Sequence, residues 1–349
     1  MKNIHTQENV YFGEFQLQYL NKIQMKKLFI LLFLTILLWS CNQQKTNDKN
    51  NNQSDTLSGK LIVFHAGSLV VPVKELVDSF KVLHPNVEIL CEAAGSVECA
   101  RKITELNKPC DLLLSADYKV IDKLLIPDFA EWNIPFATNE MVIAYHPKSR
   151  KVNEIDSLNW TSILMSEDVA YGRSDPDADP CGYRTLLTLQ LAENYYRIKG
   201  FYEKIKMKDN QYIRPKEVDL LATLESGDID FLFIYRSVAI QHGLKYIALP
   251  AQINLGNKEF ANNYAKATIV VKGKKPGETI TQIGETMVYG FTIPTNAPNK
   301  IAAEAFAKYL LEKGLAIMEK NGQPKIEKPE IINYNSLPES LKPFAKSKE

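Results

Sequence analysis

The chain has 349 residues, enough for two domains with sizeable cores. Its charges balance to +1 with no basic run, which argues against a nucleic-acid footprint and leaves any anion site to be built from local dipoles. The five cysteines, at 41, 91, 99, 110 and 181, include no C-x-x-C pair, so zinc and thioredoxin-like centres have little support.

Residues 1–24 are mixed and polar and read as an unstructured or mis-assigned start. Met25-Lys26-Lys27 then opens a basic segment, and Leu28 to Trp39 is apolar apart from Thr35. That run is short for a bilayer span and reads as the core of a secretory signal, with Met25 as the natural start and residues 25–41 as the signal peptide. It ends in Leu38-Trp39-Ser40-Cys41, which resembles a bacterial lipoprotein cleavage box with Cys41 as the lipidated residue. Several acyl chains on one cysteine would anchor stably. Residues 42–59, rich in Asn, Gln, Lys, Asp and Ser, read as a disordered tether. With Cys41 assigned, four cysteines remain, and their pairing cannot be deduced from their spacing.

The folded part starts near Lys60. Leu61 to Phe64 is a continuous apolar run, expected to be a buried strand, and it stops at His65-Ala66-Gly67-Ser68. Pro72, Val73, Leu76, Val77, Phe80 and Leu83 then mark one face of a helix that ends before Pro85. A Gly-Ser turn between a strand and a helix start presents unpaired N–H groups, the positive end of the helix dipole and a hydroxyl, so it can hold an anion without a cationic side chain. The competing reading is a plain βα connection capped by Ser68. The device recurs after the strand Val87 to Leu90, where Gly95-Ser96 opens a helix through Val97, Ala100, Ile103 and Leu106. In open α/β sheets such strand ends are where ligands bind.

Further short strands are expected at Asp111 to Ser115, Met141 to Tyr145, Phe231 to Tyr235 and Met287 to Ile293, with a helix beginning at Val120 and a long amphipathic helix using Ile301, Phe306, Tyr309 and Leu310. The strands at Met141 and Met287 are taken as crossings between two lobes. Residues 60–140 and 287–345 then form lobe 1, and residues 141–286 an inserted lobe 2.

Within the inserted part, Asp175-Pro176-Asp177-Ala178-Asp179-Pro180-Cys181 feeds a helix through Leu187, Leu191 and Tyr195. The Asp-x-Asp-x-Asp spacing suggests a calcium loop, but Pro180 stands where Gly is needed and Leu186 where an acid is needed. A helix-capping loop is the bland alternative. Glu217, after Arg214-Pro215-Lys216, sits in a helix first turn, where the dipole favours a carboxylate with or without function. Tyr235 ends a strand and is either a hydroxyl donor or ordinary packing.

FHAGSL, AAGSVECARKI, LLLSADY, DPCGYR, RPKEVDL, FIYRSVAIQH and YGFTIP follow one another in this order. Together they closely resemble the archaeal-type molybdate/tungstate-binding proteins of ABC transporters, from about Lys60 to about Gln323. The resemblance implies an α/β, two-lobed periplasmic-binding-protein fold of type II, each lobe a mixed sheet flanked by helices, clamping one oxyanion in the interlobe cleft. It implies that Gly67, Ser68 and Ser96 supply donors from the first lobe. Asp179, Pro180, Cys181, Glu217 and Tyr235 face them from the second, with the Asp179 and Glu217 carboxylates approaching the molybdenum or tungsten itself. It further implies a lipid-anchored, monomeric protein on the extracytoplasmic or periplasmic face, with an ABC permease as partner, no catalysis, no cofactor and no nucleic acid.

Acids facing a dianion look like an error unless its centre accepts further oxygen ligands, as molybdenum and tungsten can and sulfur and phosphorus cannot. The alternatives are a carrier of another oxyanion or of ferric iron and, from another class, a secreted serine hydrolase. The hydrolase would use Ser68 or Ser96 with His65 as base, yet neither serine lies in G-x-S-x-G.

Overall fold

The computed structural model describes residues 57–273 and 277–348, all within one compact unit, Asp55–Glu349. The expected start, signal peptide, lipidated Cys41 and most of the tether lie outside the described residues. The tether's last expected residue, Gly59, already opens a strand.

The first sheet runs β2 (Val87–Ala94), β1 (Gly59–Ala66), β3 (Leu112–Ser115), β12 (Val288–Thr292) and β4 (Ile134–Thr138). β1 is covered on both edges by parallel neighbours and β3 is buried throughout, which is why both read as unbroken apolar runs. β12 runs antiparallel to β3 and β4, so the sheet is mixed. Its register decides the site: Ala66 pairs with Ala94, and His65 with Leu114. Continued one residue past the first pair and two past the second, this register brings Gly67, Gly95 and Ala116 level at the same sheet edge.

The second sheet runs β7 (Ile213–Arg214), β6 (Tyr171–Ser174), β8 (Phe231–Tyr235), β5 (Met141–Tyr145) and β9 (Lys245–Ala248). β8 is central and entirely buried, and Tyr235 is its last residue. β6 runs parallel to β8, so Ser174 and Tyr235 end at one edge. A hairpin of β10 (Thr268–Lys272) and β11 (Thr279–Ile283) packs beside the Pro180–Tyr196 helix, where Gln190 bonds both backbone groups of Thr268.

The strands taken as crossings each belong to one sheet only: β5 to the second, β12 to the first. The chain crosses instead at Asn139-Glu140 and just before Met287. One loop clasps both crossings, since Met141 N–H donates to Asn254 O and Met287 N–H to Leu255 O, each at 2.8 Å. The C-terminal Lys300–Tyr309 helix packs on the Val70–Leu83 helix through Phe80, whose ring meets Phe306 at 5.0 Å and Tyr309 at 5.5 Å. Ile301 and Leu83, expected on the buried faces, are 77% and 56% exposed because each lies at a helix end, beyond the packed turns.

Cys91, Cys99, Cys110 and Cys181 are all unpaired. Among the described residues no helix is long and apolar enough to cross a membrane.

Gly182 is a sterically required residue in the first turn of its helix. A Cβ there would lie 2.5 Å from both Asp175 C and Ser174 O. Gly182→Ala is expected to cost about 1–3 kcal/mol of overpacking strain; a thermal melt of the ligand-free protein measures it.

Candidate functional site

The turn Gly67–Leu69 is one tight 3-10 turn leading into a helix, and Ser68 within it is buried. Ser68 does not cap the helix that follows. Its Oγ instead accepts from Tyr289 Oη at 3.1 Å, and the Tyr289 oxygen in turn accepts from Asn139 Nδ2 at 2.9 Å. Gln323 Nε2 holds the Ser68 carbonyl at 3.0 Å. Ser96 is the first residue of its helix, and its Oγ accepts from the Ala116 N–H at 2.9 Å. Tyr235 Oη accepts from Arg184 Nη1 at 3.0 Å. Each of the three expected hydroxyls therefore receives a donor from behind. In none of the described hydrogen bonds does Ser68, Ser96 or Tyr235 give its own side-chain proton. A hydroxyl carries one proton and two acceptor lone pairs, so these three are left as donors.

The acids are the converse. Asp179 stands at the N-cap of the Pro180–Tyr196 helix without a well-formed side-chain capping bond. Glu217 opens a 3-10 turn, and both residues are 1% exposed. Asp179 Oδ2 and both Glu217 carboxylate oxygens are buried without a hydrogen-bond donor. Burial pushes both carboxyls up from their ordinary range, and at Glu217 the neighbouring Asp179 charge adds to the rise.

Cross-lobe contacts gather these groups. A Cβ at Gly67 would lie 3.5 Å from Glu217 Oε2, and one at Gly95 would lie 3.0 Å from Asp179 Cβ and only 2.3 Å from Ala178 O. Only glycine lets the two lobes approach this closely. The Glu98 N–H donates to Ala178 O at 3.1 Å, and Arg101 donates through Nη1 to Asp177 O at 3.0 Å. Arg101 Nη2 reaches Lys272 O and Gly273 O in the hairpin, each at 3.2 Å. Lys216 Nζ reaches the Ala93 carbonyl at 3.4 Å.

Two other expected residues take different positions. The Cys181 thiol turns toward the Phe233 carbonyl at 3.7 Å, and Pro180 has no N–H. That pair's remaining donor is the Cys181 N–H at the start of a 17-residue helix. The apparent calcium loop is not one: Asp175 Oδ1 accepts from Asp177 N–H, while Asp177 Oδ1 accepts from Lys272 N–H. Among the described residues no group of three His, Cys, Asp or Glu is placed to hold a metal ion. His65 is buried with Nδ1 against the Ala66 carbonyl at 2.9 Å, and burial lowers its pKa. It bonds neither serine, so the serine-hydrolase reading lacks its base.

The residues behind the hydroxyls, namely Tyr289, Asn139, Arg184 and Gln323, were not singled out by sequence reasoning. Arg184 and Tyr289 lie inside DPCGYR and YGFTIP, but a motif does not say which side chain stands behind which.

A family model for the bacterial extracellular solute-binding protein matches residues 61–323. An uncharacterized solute-binding protein of Petrotoga mobilis is 47% identical over 323 residues, covering 91% of this chain and 95% of the relative. A molybdate/tungstate-binding protein of Pyrococcus abyssi is 39% identical over 320 residues, covering 84% of this chain and 91% of the relative. The solved periplasmic molybdate-binding protein of Azotobacter vinelandii matches with a TM-score of 0.55 at 18% identity, over 75% of this chain and 98% of that one. This likeness is one of fold, the two-lobed periplasmic-binding-protein fold of type II. The chain belongs to the bacterial extracellular solute-binding protein family.

Proposed function

We propose that this chain captures tungstate or molybdate in the cleft between its lobes and delivers it to an ABC permease. The observation that carries the reading is the pairing of three hydroxyl donors with three buried acceptor oxygens on Asp179 and Glu217. A tetrahedral oxo-dianion offers oxygens that only accept, which suits the hydroxyls. The acids then need an electron-poor centre, and a metal that expands from four to six oxygen ligands supplies it. Sulfate offers neither a proton nor a coordination position, so it meets two repelling carboxylates. Hydrogen phosphate offers one proton, which serves one acid and not both. The 39% identical molybdate/tungstate-binding protein from Pyrococcus abyssi supports the same choice.

Nanomolar binding would require about 12 kcal/mol. Charge-assisted hydrogen bonds at about 1.5–3 kcal/mol each make half a dozen donors a sufficient source. Donors from both lobes meet only when the lobes close, so the ligand shifts an open–closed equilibrium by its differential affinity. Binding of this kind needs no resident cofactor and no catalysis. A lipid on Cys41 and the polar tether would hold a monomer near its permease at the outer face of the membrane.

Two titrations test this. In calorimetry with tungstate, molybdate and sulfate, the double variant Asp179→Ala/Glu217→Ala is expected to lose tungstate affinity by far more than it loses sulfate affinity; equal losses would sink the metal-coordination reading. Gly95→Ala places a methyl against the Ala178 carbonyl only when the lobes are closed. It is expected to leave the melting temperature of the ligand-free protein nearly unchanged and to remove most of the stabilisation added by tungstate. Full ligand-induced stabilisation in that variant would mean that the cleft does not close on the anion.

A further inference from the structure

Arg184 is 3% exposed and belongs to the second lobe, on the Pro180–Tyr196 helix. Its Nη1 is shared between two acceptors: the Ala116 carbonyl of the first lobe at 2.7 Å and Tyr235 Oη of its own lobe at 3.0 Å. The same residue, Ala116, gives its N–H to Ser96 Oγ. A continuous chain of hydrogen bonds, Ser96 to Ala116 to Arg184 to Tyr235, thus links a hydroxyl of one lobe with a hydroxyl of the other. Arg184 Nη2 faces Asp117 Oδ2 at 3.4 Å without making a hydrogen bond, while the Tyr183 hydroxyl donates to that same oxygen at 2.5 Å. The guanidinium also lies 5.7 Å from the Tyr235 ring centre. Its well-formed bonds are therefore the two that run toward the anion site, and its ion pair is the loose one.

We propose that Arg184 is a positioning residue for the anion site, setting the Tyr235 hydroxyl as a donor and tying it to Ser96 when the lobes close. A donor fixed on the Tyr235 oxygen leaves the phenol proton for the ligand. The bond to the Ala116 carbonyl spans the two lobes, so opening of the cleft would break it and closure would align Tyr235 with Ser96 as the anion is enclosed. This rests on the anion-binding reading above. The competing role is a plain latch, in which the Arg184–Asp117 charge pair holds the lobes together whatever lies between them.

A double-mutant cycle separates the two roles. Tungstate affinity and dissociation rate are measured for the wild type, Arg184→Lys, Tyr235→Phe and the double variant. Lysine keeps the charge and loses the fixed fork that serves two acceptors. Arg184→Lys is expected to weaken tungstate by about tenfold to a hundredfold, mainly through faster dissociation. In the Tyr235→Phe background its further cost is expected to fall below about threefold. Additive losses, or no loss, would overturn the proposal. Asp117→Asn keeps the oxygen that accepts from Tyr183 and removes the charge facing Nη2. It is expected to cost less than about threefold, and a loss of about tenfold or more would make Arg184 a latch. This variant decides the question even if Arg184→Lys does not fold. If wild-type protein binds phosphate and not tungstate, the metal-coordination reading falls, and the same cycle run with phosphate still supports or overturns the role of Arg184.

Discussion

The constraint on which the site depends is the direction of three hydrogen bonds. Ser68, Ser96 and Tyr235 could in principle accept or donate toward a ligand, and a sequence leaves both possible. The Tyr289 hydroxyl, the Ala116 N–H and the Arg184 guanidinium each fill one acceptor position and leave the hydroxyl proton unused, which favours donation toward a ligand. A site of neutral donors built this way favours an acceptor-only ligand, with no cationic side chain in direct contact. The acids beside it set a second requirement that few acceptor-only ligands meet.

Closure is finely balanced for the same reason. Leaving a buried hydroxyl without an acceptor costs about 1–3 kcal/mol, and buried carboxylates without donors cost more. Against this stand contacts that need no ligand: Glu98 on Ala178, Arg101 on three carbonyls, Lys216 on Ala93. The hinge is built to permit the exchange. Asn139, at the first crossing, donates to Ser237 Oγ at 2.7 Å in the second lobe and to Tyr289 Oη at 2.9 Å in the first. The peptide at this crossing thus also supports Ser68 through Tyr289. On the proposed reading, a ligand then has to tilt an open–closed equilibrium toward these contacts.

Much of the fold could be read from the chain because its decisive elements are local. Unbroken apolar runs marked the central strands β1 and β8, and Gly-Ser turns followed by amphipathic helices marked the ligand edge of the first sheet. The strands β5 and β12 read as crossings, yet each joins a single sheet, because a strand's hydrophobic pattern does not say which of two sheets it joins; the Asn254-Leu255 loop that clasps both crossings lies more than a hundred residues from the first. At the site, residue types pointed to the hydroxyls and the acids. What could not be read was their support. Tyr289 meets Ser68 across 221 positions of sequence and Gln323 meets it across 255, and no periodicity links residues so far apart.

The acids give the last step. Asp179 and Glu217 are both buried, and no described ion pair joins either of them to a lysine or arginine, while Arg184 is engaged with Tyr235 and Ala116. A ligand whose charge lies wholly on its periphery would add repulsion at two buried carboxyls that already resist ionisation. A ligand with a strongly electron-poor centre turns the same carboxylates from opponents into partners, because short metal–oxygen contact outweighs repulsion from the more distant oxo groups. On the proposed reading, specificity follows less from what the cleft offers the anion's surface, which sulfate would accept equally well, than from what it demands of the atom inside.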